Sequence, residues 1–150
     1  MVLHSLTSFS EHPDMIGVVS GKGSIDPIYH PFAKIKKRDK IAYYAIRDCV
    51  IVGIFNVASE MEYLEDEIWG PSCVFKITPE TLPPPHEVLD FKRLVQNPDV
   101  QFDLFPQKKN WQQYVRGHAC RPLTDRDFTI IRRRLMDGKD LIRFPEVRPP

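Results

Sequence analysis

One hundred and fifty residues, 42% hydrophobic and 27% charged, describe one ordinary globular domain rather than two. A chain of this length can bury about 68–70% of its unfolded surface, enough for a sizeable core. Twenty-one Lys and Arg stand against twenty Asp and Glu, a net charge of +1; this excludes a highly basic tail and an acidic disordered chain, though not a local basic face. No stretch reaches the roughly 20 apolar residues of a membrane span. Met1 to Met15 carry no basic segment followed by an apolar run, so no signal peptide is expected. Cys49, Cys73 and Cys120 are scattered and odd in number, which favours neither a disulfide framework nor a cysteine zinc site and fits a reducing, cytoplasmic setting. The prolines gather in Pro83-Pro84-Pro85 and from Pro145 to Pro150, segments read as stiff connectors or fixed ends.

Met15 to Val19 is a short apolar run and a predicted strand, followed by a loop through Ser20-Gly21-Lys22-Gly23-Ser24. His30 to Lys37 predicts one or two helical turns, with Pro31 near the start and Phe32 and Ile35 on one face. Lys40 to Ile46 and Cys49 to Val57 are the strongest strand signals, with Arg47-Asp48 as the hairpin turn. The second is apolar almost throughout, as expected of a strand buried on both faces in the wall of a small closed barrel. Gly53 in its middle marks a bend or a close approach by another backbone or a ligand.

Ser59 to Glu67 reads as an acidic loop or ragged helix, and Ser72 to Ile77 as a strand stopped by Thr78-Pro79. His86 to Val95 reads as a helix with Val88, Leu89, Phe91 and Leu94 apolar. Asn110 to Arg116 is a short predicted helix, capped by Asn110 and stopped by Gly117. Thr124 to Met136 is the clearest helix: Thr124 is the N-cap, Asp127 resembles a capping-box partner, Phe128, Ile131 and Leu135 form the core stripe, and Gly138 ends it. Strands dominate the first half and helices the second, which predicts an α+β domain: a small curved sheet or barrel with helices packed on it.

Familiar catalytic patterns are absent from the sequence. His4, His12, His30, His86 and His118 include no i, i+4 pair; His118-Ala119-Cys120 alone sets a histidine near a cysteine and needs further ligands from elsewhere, so no metal site is assigned. Gly21-Lys22-Gly23-Ser24 lacks phosphate-loop spacing. The acidic run Glu60, Glu62, Glu65, Asp66, Glu67 is a solvated face. More informative is Leu104 to Thr124, which contains no acidic residue. It carries Lys108, Lys109, Arg116 and Arg121, with Phe105, Trp111 and Tyr114 interleaved. Cations neutralise phosphates and aromatic faces stack on bases, so this pattern recurs at nucleic-acid surfaces. Lys34, Lys36, Lys37, Arg38 and Lys40 form a second basic cluster, and Arg132, Arg133 and Arg134 a third.

In their order along the chain, these segments resemble the EVE domain, a member of the PUA-like superfamily related to the YTH readers. Phe32-Ala33-Lys34-Ile35-Lys36-Lys37-Arg38-Asp39-Lys40 resembles the family's short helix running into its "GD" turn, with Arg38 where the family usually has Gly. Ile41 to Ile46, with Tyr44, and Ile51-Val52-Gly53-Ile54-Phe55-Asn56-Val57 resemble the next two strands. Lys108-Lys109-Asn110-Trp111, Gly117, Arg121-Pro122-Leu123-Thr124 and Phe128 resemble the C-terminal block. The family's opening strand usually contains Trp, and Asp14 to Val19 does not. The resemblance spans 15–136 of a single domain covering 1–150, leaving 1–14 and 137–150 as terminal extensions.

This resemblance implies a PUA-like pseudo-barrel of about five to six mostly antiparallel strands with helices packed around it. It further implies a non-enzymatic reader that takes a nucleobase, often modified, into a pocket beside the barrel. On that basis Ser20, Tyr44, Gly53, Trp69 and Trp111 are the expected base-pocket residues. Lys22, Lys109, Arg116 and Arg121 are the expected phosphate contacts, and no cofactor or metal is expected. The implied partner is DNA or RNA carrying a modified base, with an unlinked effector protein conceivable and no membrane. The alternative within the superfamily is an ASCH-type amidohydrolase acting on modified nucleosides through Lys22 or Lys109 with Thr78 or Thr124. A third reading is an interaction domain without a ligand pocket.

Overall fold

A computed structural model describes residues 1–4, 12–19, 31–66, 70–115 and 120–144. Among the described residues, eight strands and two α-helices follow in order: β1 (Val2–His4), β2 (Met15–Val19), β3 (Lys40–Ala45), β4 (Val50–Val57), β5 (Glu62–Asp66), β6 (Gly70–Thr81), β7 (Glu87–Asp90), α1 (Phe91–Gln96), α2 (Asp125–Asp137) and β8 (Leu141–Arg143). Short 3-10 turns lie at Pro31–Lys34 and Trp111–Tyr114. The sheet runs β1-β3-β4-β6-β2, with β5 beside β6 and the β7–β8 pair beside β4. Only β1–β3 is parallel among the described pairings. The architecture is therefore α+β with a sheet-rich core.

The described path is open, from β1 at one end to β2 at the other, so the expected closed wall is not formed. Both faces of β3 and β4 are nevertheless buried, because the sheet curls round one cluster and carries a second on its back. The inner cluster joins Ile16, Phe32, Ile41, Tyr43, Val50, Val52, Phe55, Phe75, Ile77 and Val88. The outer cluster joins Ala42, Tyr44, Ile51, Ile54, Leu89 and Phe91 to loop and helix residues. A β-bulge makes both memberships possible. Tyr43 pairs with Gly53 and Tyr44 with Ile51, so Val52 is the extra residue. Before it, Val50 and Val52 point inward; after it, Phe55 and Val57 do.

Several expectations are corrected. Glu62–Asp66 is a strand, not a loop or helix: its backbone pairs with β6 from Glu62 opposite Val74 to Asp66 opposite Gly70. Pairing overrides the poor β-propensity of its carboxylates, of which Glu62 and Glu65 are exposed. β6 does not stop at Thr78-Pro79. Pro79 sits opposite Phe55 where the register shifts, a place where a missing amide is tolerated. His86–Val95 is not one helix. Val88 and Leu89 enter opposite clusters, a period-two pattern, and Asp90 then caps α1 by accepting from the Arg93 amide at 3.1 Å. The described parts of the two terminal segments are paired into the sheet. β1 pairs with β3, and β8 with β7.

Candidate functional site

Tyr44 and Trp111, two of the expected pocket walls, are core residues. Tyr44 is fully buried, its ring edge-on to Phe91 at 5.3 Å. Phe91 also meets Trp111 at 5.9 Å, Phe102 at 5.4 Å and Phe105 at 5.9 Å. Trp111 and Phe105 meet at 5.5 Å. The aromatic half of the Leu104–Thr124 pattern thus fills the protein, because an apolar ring on a short turn gains more by covering Phe91 than by facing water. Tyr44 also borders a recess of 260 Å³ with Ile46, Arg47, Cys49, Gln112 and Val115.

Gly53 lies at the bulge. A Cβ there would come within 2.7 Å of Leu82 Cδ2 and 3.1 Å of the Thr81 carbonyl oxygen. The close approach read from the sequence is therefore made by the end of β6. Ser20, Lys22, Trp69 and Arg116 lie outside the described residues. Lys109 is exposed, beside Asn110, whose φ of 58° places it in the left-handed region with no side-chain cap bond.

Arg121 is the expected phosphate contact that the fold builds into a hollow. Its amide donates to the Met1 carbonyl at 2.8 Å, and its carbonyl accepts from the Met1 nitrogen at 2.6 Å. Its Nε is buried, with no hydrogen-bond partner among the described residues. The hollow, 490 Å³, is walled by Ile35, Ile41, Leu123 and half-buried Phe128, and rimmed by Lys34, Lys40 and Arg121 with Asp39 and Asp125. Cys120 also lines it, its thiol pushed upward by burial and so kept as the poorly nucleophilic thiol.

Residues from two of the basic clusters line the hollow, and Arg132 of the third touches it through Glu80 and Phe128. Glu80 joins two of them: it accepts from Lys40 at 3.2 Å and from Arg132 at 2.5 Å. Arg132 in turn lies 4.8 Å from the centre of the Phe128 ring. Burial pushes the Glu80 carboxyl up, but hydrogen bonds from Thr81 and Lys40 and the Arg132 charge outweigh it and hold the pKa below the ordinary value. Sequence reasoning marked these cations as separate runs. Only β3 passing beside residues 120–123 assembles them, a long-range contact that no local pattern encodes.

The threonines considered for catalysis are placed apart. Thr124 Oγ1 donates to Asp103 Oδ2 at 2.7 Å and accepts from the Asp127 amide at 3.2 Å, capping α2. Thr78 lies in β6 opposite Asn56. No family model matches the sequence, and no curated protein matches it. Among the described residues, no helix is long and apolar enough to cross a membrane.

Proposed function

We propose that this chain is an EVE-like, PUA-like module that binds nucleic acid and reads a base, modified in its preferred ligand, without catalysing a reaction on it. The observation that carries the reading is the convergence of Lys34, Lys40 and Arg121 round an apolar hollow of 490 Å³. That volume lies within the roughly 300–1,000 Å³ of small-ligand sites. An extruded base needs apolar or aromatic walls, which Ile35, Ile41, Leu123 and Phe128 supply. Its flanking phosphates need cations. The curled sheet with helices on its back supports a PUA-like arrangement. Ser20, Lys22, Trp69 and Arg116 remain in the proposal on the resemblance. Tyr44 and Trp111 act from within the core, fixing the strands and turns that carry the site.

Fluorescence anisotropy against short single- and double-stranded DNA and RNA tests the reading. The panel includes unmodified, 5-methylcytosine, 5-hydroxymethylcytosine and N6-methyladenine versions, each at two salt concentrations. A preference for one modified base that survives the higher salt supports a base pocket. Binding that ignores modification and collapses with salt reduces the proposal to a phosphate-contacting surface. No binding to any member overturns it.

A further inference from the structure

The turn between the first 3-10 turn and β3 borders the hollow. Lys34, Ile35, Asp39 and Lys40 line the cavity, and the three residues between them, Lys36, Lys37 and Arg38, are exposed. This turn is held firmly. The Lys36 amide donates to Asp39 Oδ2 at 2.9 Å, and the Asp39 amide to the Lys36 carbonyl at 3.0 Å. The Arg38 amide donates to the Val57 carbonyl, and the Val57 amide to the Asp39 carbonyl, both at 2.8 Å. The tip is thereby clamped to the end of β4.

The clamp forces Arg38 to φ 81°, the left-handed region that favours glycine. An arginine there is strained, and its side chain is exposed. The side chains of Lys34, Lys36, Lys37 and Arg38 form no ion pair or hydrogen bond with any described residue. Other cations do: Lys40 and Arg132 with Glu80, Arg93 and Arg134 with Asp140, Arg126 with Asp103. Four unpaired positive charges are therefore displayed on a fixed turn, one of them at the cost of backbone strain. Observed strain of this kind points from geometry to function.

We propose that the Lys34–Arg38 turn is the phosphodiester-binding edge of the molecule, gripping the backbone of a strand whose base lies in the adjoining hollow. The inference rests on the nucleic-acid reading above. The partner is a nucleic acid because the cations border an apolar cavity and the tip itself carries no apolar side chain to enter a lipid surface. Arg121, which lines the same cavity, takes a neighbouring phosphate.

The test uses the full chain with Arg38→Gly, and separately Lys36→Glu with Lys37→Glu, titrated against a fluorescent single-stranded oligonucleotide across a salt series. Arg38→Gly leaves the melting temperature unchanged or raised, because glycine relieves the left-handed strain. Affinity falls severalfold at low salt, and the slope of log K against log salt falls by about 0.7 for the cation removed. The double variant lowers it further. Wild-type binding with an unchanged slope in both variants overturns the proposal while the nucleic-acid reading stands. Wild-type binding to phosphatidylserine vesicles or polyglutamate, but to no oligonucleotide, overturns both. So does failure of the wild type to bind any of the three.

Discussion

The two faces of the β3–β4 hairpin are built from the same strands and differ in kind. The outer face is aromatic: Tyr44, Phe91, Phe102, Phe105 and Trp111 meet edge to face around Phe91. The inner face is mainly β-branched, with Phe32 against Phe75 and Tyr43 against Phe55 as its ring pairs. Aromatic edge contacts are directional, each adding about 0.5–1.5 kcal/mol beyond burial. They suit a region where an irregular stretch, 97–115, must be held in one conformation with little backbone pairing. The inner face needs no such device, because paired strands already fix its residues. The cation-rimmed hollow lies where the two clusters meet: Ile35 and Ile41 belong to the inner one, Leu123 and Phe128 to the outer. The rings fasten the outer face, and the cations stand at the hollow where the two faces adjoin.

Phe91→Ala breaks this comparison most severely. It removes the ring that Tyr44, Phe102, Phe105 and Trp111 all touch, leaving a cavity no neighbour can fill without breaking its own contacts. The expected loss is about 3–5 kcal/mol in urea unfolding. A loss below about 1 kcal/mol would mean the stretch from 97 to 115 is held by something other than its rings.

Asp127→Asn tests the other fastening of the same stretch. The fully buried carboxylate accepts from the Asp103 amide at 2.7 Å on Oδ1 and from the Leu104 amide at 2.9 Å on Oδ2. Asparagine keeps one acceptor and turns an NH₂ toward the other amide. The expected cost is about 1–3 kcal/mol. Hydrogen exchange at the Asp103 and Leu104 amides should rise ahead of exchange in β4.

Gly53→Ala probes the seam between the faces. The new Cβ meets Leu82 Cδ2, the end of a flexible and partly exposed side chain, and the Thr81 carbonyl, which is backbone. The leucine can turn away, but the carbonyl must shift. The expected cost is about 1 kcal/mol, at the low end for overpacking. Adding Leu82→Ala should recover only part of it. Full recovery would show that the backbone contact yields freely.

What the sequence made legible follows from how far each signal reaches. The β3–β4 hairpin, the burial of β4 on both faces and α2 with its Thr124 and Gly138 caps are local patterns, and they were readable. Asp127 was readable as a partner in capping but not as the anchor of Asp103 and Leu104, because that contact spans 23 to 24 positions. Val88 and Leu89 fit a helical stripe and a period-two strand alike; only pairing with β4 and β8 decides. The aromatics among the basic residues were legible as a group, but the sequence could not say whether they faced a base or Phe91. Arg121 was legible as a cation, and its neighbours Lys34 and Lys40 were legible only as part of another run.

The smallest effects separate the outer face from the rim of the hollow by the sign of their pH dependence. Burial pushes the Asp127 carboxyl above its ordinary value of 3.8, despite its two amide hydrogen bonds, and the neighbouring Asp103 carboxylate adds to the rise. The folded state then holds the proton more tightly than the unfolded state. Asp127's contribution to stability falls as pH rises from 3.8 to its folded value. Glu80, bonded to Lys40 at the rim of the hollow, is held below its ordinary 4.5. Its contribution is present above 4.5 and is lost as pH falls through its folded value. Urea unfolding of the wild type, Asp127→Asn and Glu80→Gln between about pH 3 and 6 resolves the two, since that range brackets ordinary carboxylate titration. The wild type's advantage over Asp127→Asn should shrink as pH rises, and its advantage over Glu80→Gln should grow. Two slopes of the same sign would mean that Asp127 is held as a carboxylate by its amide bonds, and that the outer face is fastened electrostatically in the same way as the rim of the hollow.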